Sequence, residues 1–269
     1  MQVSARRYEA AHFGRRSFAQ LDLQDRADPR VRQLIGELFD EAADYVEVIR
    51  RLWDSWEDDA EIRDVATGRF IDRGKLHYID FTGDHFSVRG PSITPRPPQG
   101  QPVVSALGHA PVPYRLIARS ADIGYVTPAD RGHARAIVAE IRAAQQAAGR
   151  ASETIHVFGD LVVFLDDDAT AAAGRKARLD DLAGYACASD AAVFTGTPAQ
   201  LADLLQDWQA SGLSGFRLRP GAIPRDLEAI TRGLVPELQR RGAFRPAYEA
   251  STLRGLLGLG RPVSRYATA

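Results

Sequence analysis

The stretch with the most chemical content is "VVSALGHAPVPYRLIARSAD", residues 103–122. An apolar run stops at Gly108, and after two more residues a helical spacing begins. The N–H groups that open a helix lack intrahelical partners and carry partial positive charge, so a strand that breaks at a glycine and feeds a helix can hold an anion. Gly108 lets the backbone come close, and His109 supplies a side-chain donor where Ala110 has none. The same residues also make an ordinary strand-to-helix turn, and spacing alone leaves both readings open. A second pair, Arg217 and Arg219 in "GFRLRP", alternates along a strand pattern and so shares one face. Near the carboxyl end of a barrel strand such a pair can meet an anionic substrate. It can equally pair with neighbouring acids, Asp226 among them.

Other conspicuous residues read as structural. Trp53 and Trp56 in "LWDSWEDDA" fit packing at a helix end, and the "EDDAE" that follows fits a solvated acidic cluster. "DDD" at 166–168 fits an acidic helix start, with nothing nearby to complete a magnesium site. Cys187 is the single cysteine, so no intrachain disulfide forms, and it has no flanking motif of a reactive thiol. The six histidines are scattered without zinc-ligand spacing, so no metal is expected. GxSxG, Walker A, HExxH and GxGxxG are absent, and no catalytic residue is assigned.

The elements that must position these residues follow from periodicity. The 269 residues suffice for one large domain or two small ones. The 35 acidic and 34 basic side chains nearly cancel, which argues against nucleic acid as a partner. No apolar run approaches the ~18 residues of a membrane span, and the first thirty residues show no apolar core of a signal peptide. A cytoplasmic globular protein without a membrane partner is expected. Residues 1–30 are polar and arginine-rich without a period. Helical spacing runs from Val31 to about Trp56 through Leu34, Leu38, Ala42, Tyr45, Ile49 and Leu52. Asp58 to Gly100 reads as a β-ribbon excursion closed by a proline-rich connector.

After Gln101 strands and helices alternate. Val103–Leu107, Ile123–Val126, "TIHVFGDLVVFL" and "GFRLRP" read as strands. Val112–Ser120, "TPADRGHARAIVAEIRAAQQAAGR" and "DDDATAAAGRKARLDDLAGY", the last with acids in its first turn, read as helices. "TPAQLADLLQDWQASG" predicts a helix with Thr197 as N-cap, Pro198 at N1 and Gly212 as the stop. "RDLEAITRGLVPELQRRG" predicts a helix broken near Leu234 by Pro236, followed by a tail that packs back. Alternation of this kind implies a mostly parallel α/β sheet. Four strands are counted, where a closed barrel needs eight. One domain over 1–269 is expected: an arm and helix over 1–57, the excursion over 58–100, βα units over 101–242 and a tail over 243–269.

Four blocks add what periodicity does not carry: "YVEVIRRLWDSWEDDA" (45–60), "GDHFSVRGPSITPRPPQGQPVV" (83–104), "FTGTPAQLADLLQDW" (194–208) and "LVPELQRRGAFRPAYEASTLRGLLGLGRPVSRY" (234–266). In this order they resemble the luciferase-like flavin monooxygenases, in the branch of the nitrilotriacetate, desulfurisation and long-chain alkane monooxygenases. The resemblance implies a bacterial-luciferase-like TIM barrel that binds FMN, reduced by a partner flavin reductase, and uses oxygen to oxidise a small organic substrate. In such enzymes the protein positions the flavin and excludes water. The family's phosphate loop falls on Gly108, His109 and Ala110. Related barrels use a deazaflavin, which is the second cofactor option. Two residues depart from the pattern: Ala110 stands where a hydroxyl residue is usual, and Phe39 where an aromatic hydroxyl is usual. The first barrel half, with its Asn-, Val- and Thr-rich strand, has no counterpart here. The resemblance thus implies an incomplete barrel of about four C-terminal βα units with open sheet edges, which invite pairing with another chain. Self-association or a partner chain is expected. The alternative to an active monooxygenase is a shortened, non-catalytic subunit that binds flavin or an anion.

Overall fold

The computed structural model describes residues 28–267, which divide into two compact units. The first comprises the described residues up to Val104 together with those from Thr252 onward, and the second spans Ser105–Ser251. The arginine-rich arm expected over 1–30, His12 included, lies outside the described residues as far as position 27.

In the first unit, helix α1 spans Pro29–Asp54. Asp28 caps it by accepting the Arg30 N–H at 2.8 Å, and Pro29 stands in the first turn, where its missing N–H costs nothing. Val31, Leu34, Ala42, Ala43 and Val48 are buried, whereas Tyr45, on the same expected stripe, is more than half exposed. The excursion is two separate antiparallel pairs, β1 (Glu61–Asp64) with β2 (Arg69–Ile71) and β3 (Phe81–Thr82) with β4 (Ser87–Val88). Val48, Ile79 and Phe81 form a small core with Leu52, Phe86, Val88 and Tyr266 around it. Trp56 is buried at the helix end, as expected, with its Nε1–H donated to the Ser92 carbonyl at 2.8 Å.

Asp58 and Asp59 of the acidic cluster are exposed, as expected, and the acids also have basic partners. Glu57 meets His77 at 2.8 Å, Asp59 pairs with Lys75, and Asp58 accepts from Arg96 and Arg261. The Arg261 hydrogen bond leads in holding the Asp58 carboxyl down at about 2. Arg96 is the hub. Its buried guanidinium donates to Asp54 at 2.9 Å, Asp58 at 3.0 Å and the Pro262 carbonyl at 2.7 Å. The Asp54 side chain is fully buried, and its other oxygen accepts from Gln101 at 2.8 Å. These bonds fix the returning tail, which contains the short helix α8 at Leu253–Leu256, against α1 and the excursion.

The second unit holds a parallel sheet of five strands, where four were counted from the sequence: β5 (Ser105–Gly108), β6 (Ile123–Val126), β7 (His156–Leu165), β8 (Ala192–Gly196) and β9 (Gly215–Pro220). The uncounted strand is β8. Its apolar residues Ala192–Phe194 run straight into the Thr197–Pro198 helix signal, which hid the strand. Helices connect the strands: α2 (Pro111–Ser120), α3 (Arg131–Ala147), α4 (Ala169–Ala183) and α5 (Pro198–Gln209). Asp168 caps α4 from outside, accepting the Ala171 N–H at 2.8 Å; no acid lies inside its first turn, contrary to expectation. Thr197 and Gln200 form a reciprocal capping box on α5, and Gly212, at φ +102°, turns the chain after it. After β9, α6 (Arg225–Ala229) passes through a π-turn at Ile230–Leu234 into α7 (Val235–Arg240). Pro236 cannot donate to a carbonyl one turn back, and the Val235 N–H reaches the Ile230 carbonyl instead.

β7 organises the sheet. Val157, Leu161, Val163 and Leu165 on one face are almost fully buried. One edge of β7 pairs with β9 from Phe158 to Val163. β6, at His156–Gly159, and β8, at Leu161–Leu165, therefore share the opposite edge, one after the other. β5 pairs with β6, and no closed barrel forms among the described residues.

Removing one partner of a buried ion pair leaves the other charge stranded, at about 3–5 kcal/mol. Arg96→Met is expected to destabilise the first unit by that amount. Urea unfolding read by Trp53 and Trp56 fluorescence checks it, and a loss below about 1 kcal/mol contradicts the assignment of Arg96 as hub.

Candidate functional site

Gly108 is the last residue of β5 and not, as the sequence suggested, the residue that stops it. A Cβ there would lie 2.8 Å from Tyr114 Cδ1 and 3.0 Å from Ile117 Cδ1. The glycine thus makes room for its own helix, α2, which packs directly on the strand end. Ala110 is the N-cap and offers no side-chain bond. Pro111 and Pro113 carry no N–H, so of the first three helical residues only Val112 keeps one. This terminus presents fewer backbone donors than an ordinary helix start.

Side chains fill the gap. His109 Nδ1 lies 2.8 Å from the Thr127 hydroxyl, just past the end of β6, and Nε2 lies 3.5 Å from Asp190 Oδ2. In the neutral ring with its proton on Nε2, that N–H faces a carboxylate, which only accepts, and the Thr127 hydroxyl donates to Nδ1. Asp190 arrives here because of the strand stacking. β6 ends level with Gly159 and β8 starts level with Leu161, which sets the chain entering β8 above the end of β6.

Arg217 and Arg219 do share one face, in register with Asp160 and Val162 of β7. Their surroundings differ. Arg217 grips the fully buried Asp160 with Nε at 2.9 Å and with a second nitrogen, and lies 4.4 Å over the Tyr125 ring. Tyr125 in turn meets Phe158 edge-on at 6.0 Å. Arg219 donates to Asp190 Oδ1 at 2.8 Å and to the Ser189 hydroxyl at 3.1 Å, while its Nε is buried without a partner. The Arg219 hydrogen bond leads in lowering the Asp190 carboxyl below its ordinary value. Asp226, which sequence proximity offered as a partner, is engaged elsewhere. It is fully buried and accepts from Arg175, Leu165 N–H and Ala222 N–H.

The structure therefore brings His109 and Arg219 together on one carboxylate and sets Arg217 apart on another. Sequence reasoning missed Thr127, Asp160 and Asp190. Asp160 had a signal: an acid inside the apolar run "VFGDLVVFL" needs a buried partner, and "GFRLRP" offers one. Asp190 and Thr127 had none, since loop residues carry no periodicity. Among the described residues no group of His, Cys, Asp and Glu could hold a metal ion, Cys187 is partly buried, and no helix is long and apolar enough to cross a membrane.

The profile of the family described as luciferase-like monooxygenase matches residues 33–186. The chain belongs to that family. It is 31% identical to N-acetyl-S-(2-succino)cysteine monooxygenase of Bacillus subtilis (strain 168), over 85% of this chain and 66% of that protein. It is 29% identical to nitrilotriacetate monooxygenase component A of Aminobacter aminovorans, over 84% of this chain and 64% of that protein. Among solved structures, a long-chain alkane monooxygenase superposes with a TM-score of 0.73 at 27% identity, covering 83% of this chain and 61% of that one. The chain thus spans just under two thirds of the length of these relatives. It carries the luciferase-like barrel fold in part, as an open parallel sheet.

The two arginines differ in what they hold up. Arg217→Met leaves the fully buried Asp160 carboxylate without its partner and is expected to destabilise the second unit by about 3–5 kcal/mol. Arg219→Gln, at a partly exposed pair, is expected to cost less than about 1 kcal/mol. Urea unfolding read at Trp208 separates them, and equal losses contradict the distinction.

Proposed function

We propose that this chain is the flavin-phosphate-binding part of an FMN-dependent luciferase-like monooxygenase, with the phosphate at Gly108, His109 and Ala110. Membership of the family supports the reaction class, and the resemblance of the four sequence blocks supports the flavin. The carrying observation is convergence: the His109 Nε2–H and the Arg219 guanidinium, whose Nε is buried and unpartnered, meet on one anionic position beside the start of α2. A phosphate offers more acceptor oxygens than a carboxylate and fits that donor set. Thr127 fixes the imidazole, Val112 adds a backbone N–H, and α2 over Gly108 fixes the turn. Arg219 serves the phosphate in this assignment rather than the substrate. Arg217, committed to Asp160, is left with a structural role or a weak contact to a small organic substrate. Reduced flavin supplies the electrons for oxygen activation. Its reduction elsewhere, by a flavin reductase, accords with a relative named as component A of a monooxygenase. The proposed setting is the cytoplasm.

A second reading is favoured by one observation: among the described residues β5 pairs with a single strand, β6. An open edge of this kind invites another chain, so the protein is expected to self-associate or to need a partner that completes the sheet. In the limit it is a subunit that binds flavin or an anion without turnover. Light scattering is expected to give a particle larger than one chain, and a monodisperse monomer contradicts this.

Fluorescence titration with FMN and riboflavin tests the leading reading. Saturable binding is expected, tighter for FMN, weakened about tenfold by Arg219→Gln and lost in Gly108→Asp, with a deazaflavin competing poorly. Absence of FMN binding, or equal binding of FMN and riboflavin, contradicts it.

A further inference from the structure

We infer that Asp190 is a built-in competitor at the anion position, its carboxylate holding the place of a phosphate between His109 and Arg219. This rests on the assignment of a phosphate to the turn after β5. The carboxylate bridges both donors: Oδ1 accepts from Arg219 at 2.8 Å and from Ser189 at 3.0 Å, and Oδ2 faces His109 Nε2 at 3.5 Å. That last distance is too long for a good hydrogen bond, so Asp190 holds His109 only loosely while Thr127 orients the ring. All three charged side chains are between one third and one half exposed, so water and an incoming anion reach them. An acid facing the place of a doubly charged phosphate repels it, and two negative groups cannot share the donors. Binding therefore exchanges Asp190 for the ligand on Arg219 and His109. The segment that must give way is the Ser189–Asp190 connection into β8, while β9 and α2 stay in place. Ser189 helps to hold the resting arrangement, since its hydroxyl bonds Asp190 and accepts the Ala191 N–H at 3.2 Å.

Asp190→Asn keeps the shape and removes the charge. Calorimetry with inorganic phosphate and fluorescence titration with FMN and riboflavin read the outcome on the full chain. The substitution is expected to tighten phosphate and FMN about three- to fivefold, the scale of releasing a part-exposed ion pair, and to leave riboflavin unchanged. Phosphate affinity that stays the same, weakens or is undetectable in both proteins overturns the inference. If phosphate tightens as stated while FMN binds neither protein, the competitor stands and the flavin assignment fails. If FMN binds well but Asp190→Asn gains nothing for either anion, the flavin assignment stands and the competitor fails.

Discussion

A carboxylate in the middle of an apolar strand sets the geometry of the second unit. Asp160 is fully buried in β7, and only the Arg217 guanidinium offsets the cost of placing a charge there. Side chains alternate along a strand, so slipping β9 by one residue against β7 would turn Arg217 to the opposite face and leave Asp160 alone. The pair therefore fixes the register of β9. Register then carries Arg219 to the level of Val162, two residues nearer the carboxyl end, where it meets the chain entering β8. His109 reaches the same carboxylate from the other side because β6 stops where β8 begins. The candidate site is thus a consequence of strand stagger around one buried ion pair, more than of any local motif.

That dependence explains what was legible in the sequence. Helix termini were legible because their chemistry is local. Thr197, Pro198 and Gly212 bound α5 as their types require, and Pro236 forces the π-turn near Leu234. Ile123–Val126 and "GFRLRP" were legible as strands because their runs are bounded by turn residues. β8 was not, since its apolar residues run without a turn residue other than Gly196 into the cap of α5. The helix start after Gly108 was legible, yet the reason for the glycine was not. Contact of Tyr114 and Ile117 with the strand end is a packing fact that no spacing reveals. Asp190 entered the site through the stacking of β8 above β6, which is tertiary information entirely.

The first unit shows the same logic in a different place. "EDDAE" read as solvated because five successive polar or small residues commonly are. Asp58 and Asp59 are exposed as that reading requires, and the acids also organise Arg96, Arg261, Lys75 and His77 from distant parts of the sequence. The buried Asp54–Arg96 pair draws in Gln101 and the Pro262 carbonyl, which explains why the blocks around "LWDSW", "RPPQGQPV" and the C-terminal "GRPVSRY" resemble their family as a set. They are pieces of one hydrogen-bonded junction.

The central claim is that His109 and Arg219 converge on a position made for a phosphate. A crystal structure of the chain with FMN tests it most directly. The account predicts the flavin phosphate within hydrogen-bonding distance of His109 Nε2 and the Arg219 guanidinium, with Asp190 displaced from both. A phosphate bound elsewhere, or an Asp190 that keeps both contacts with FMN present, would contradict it.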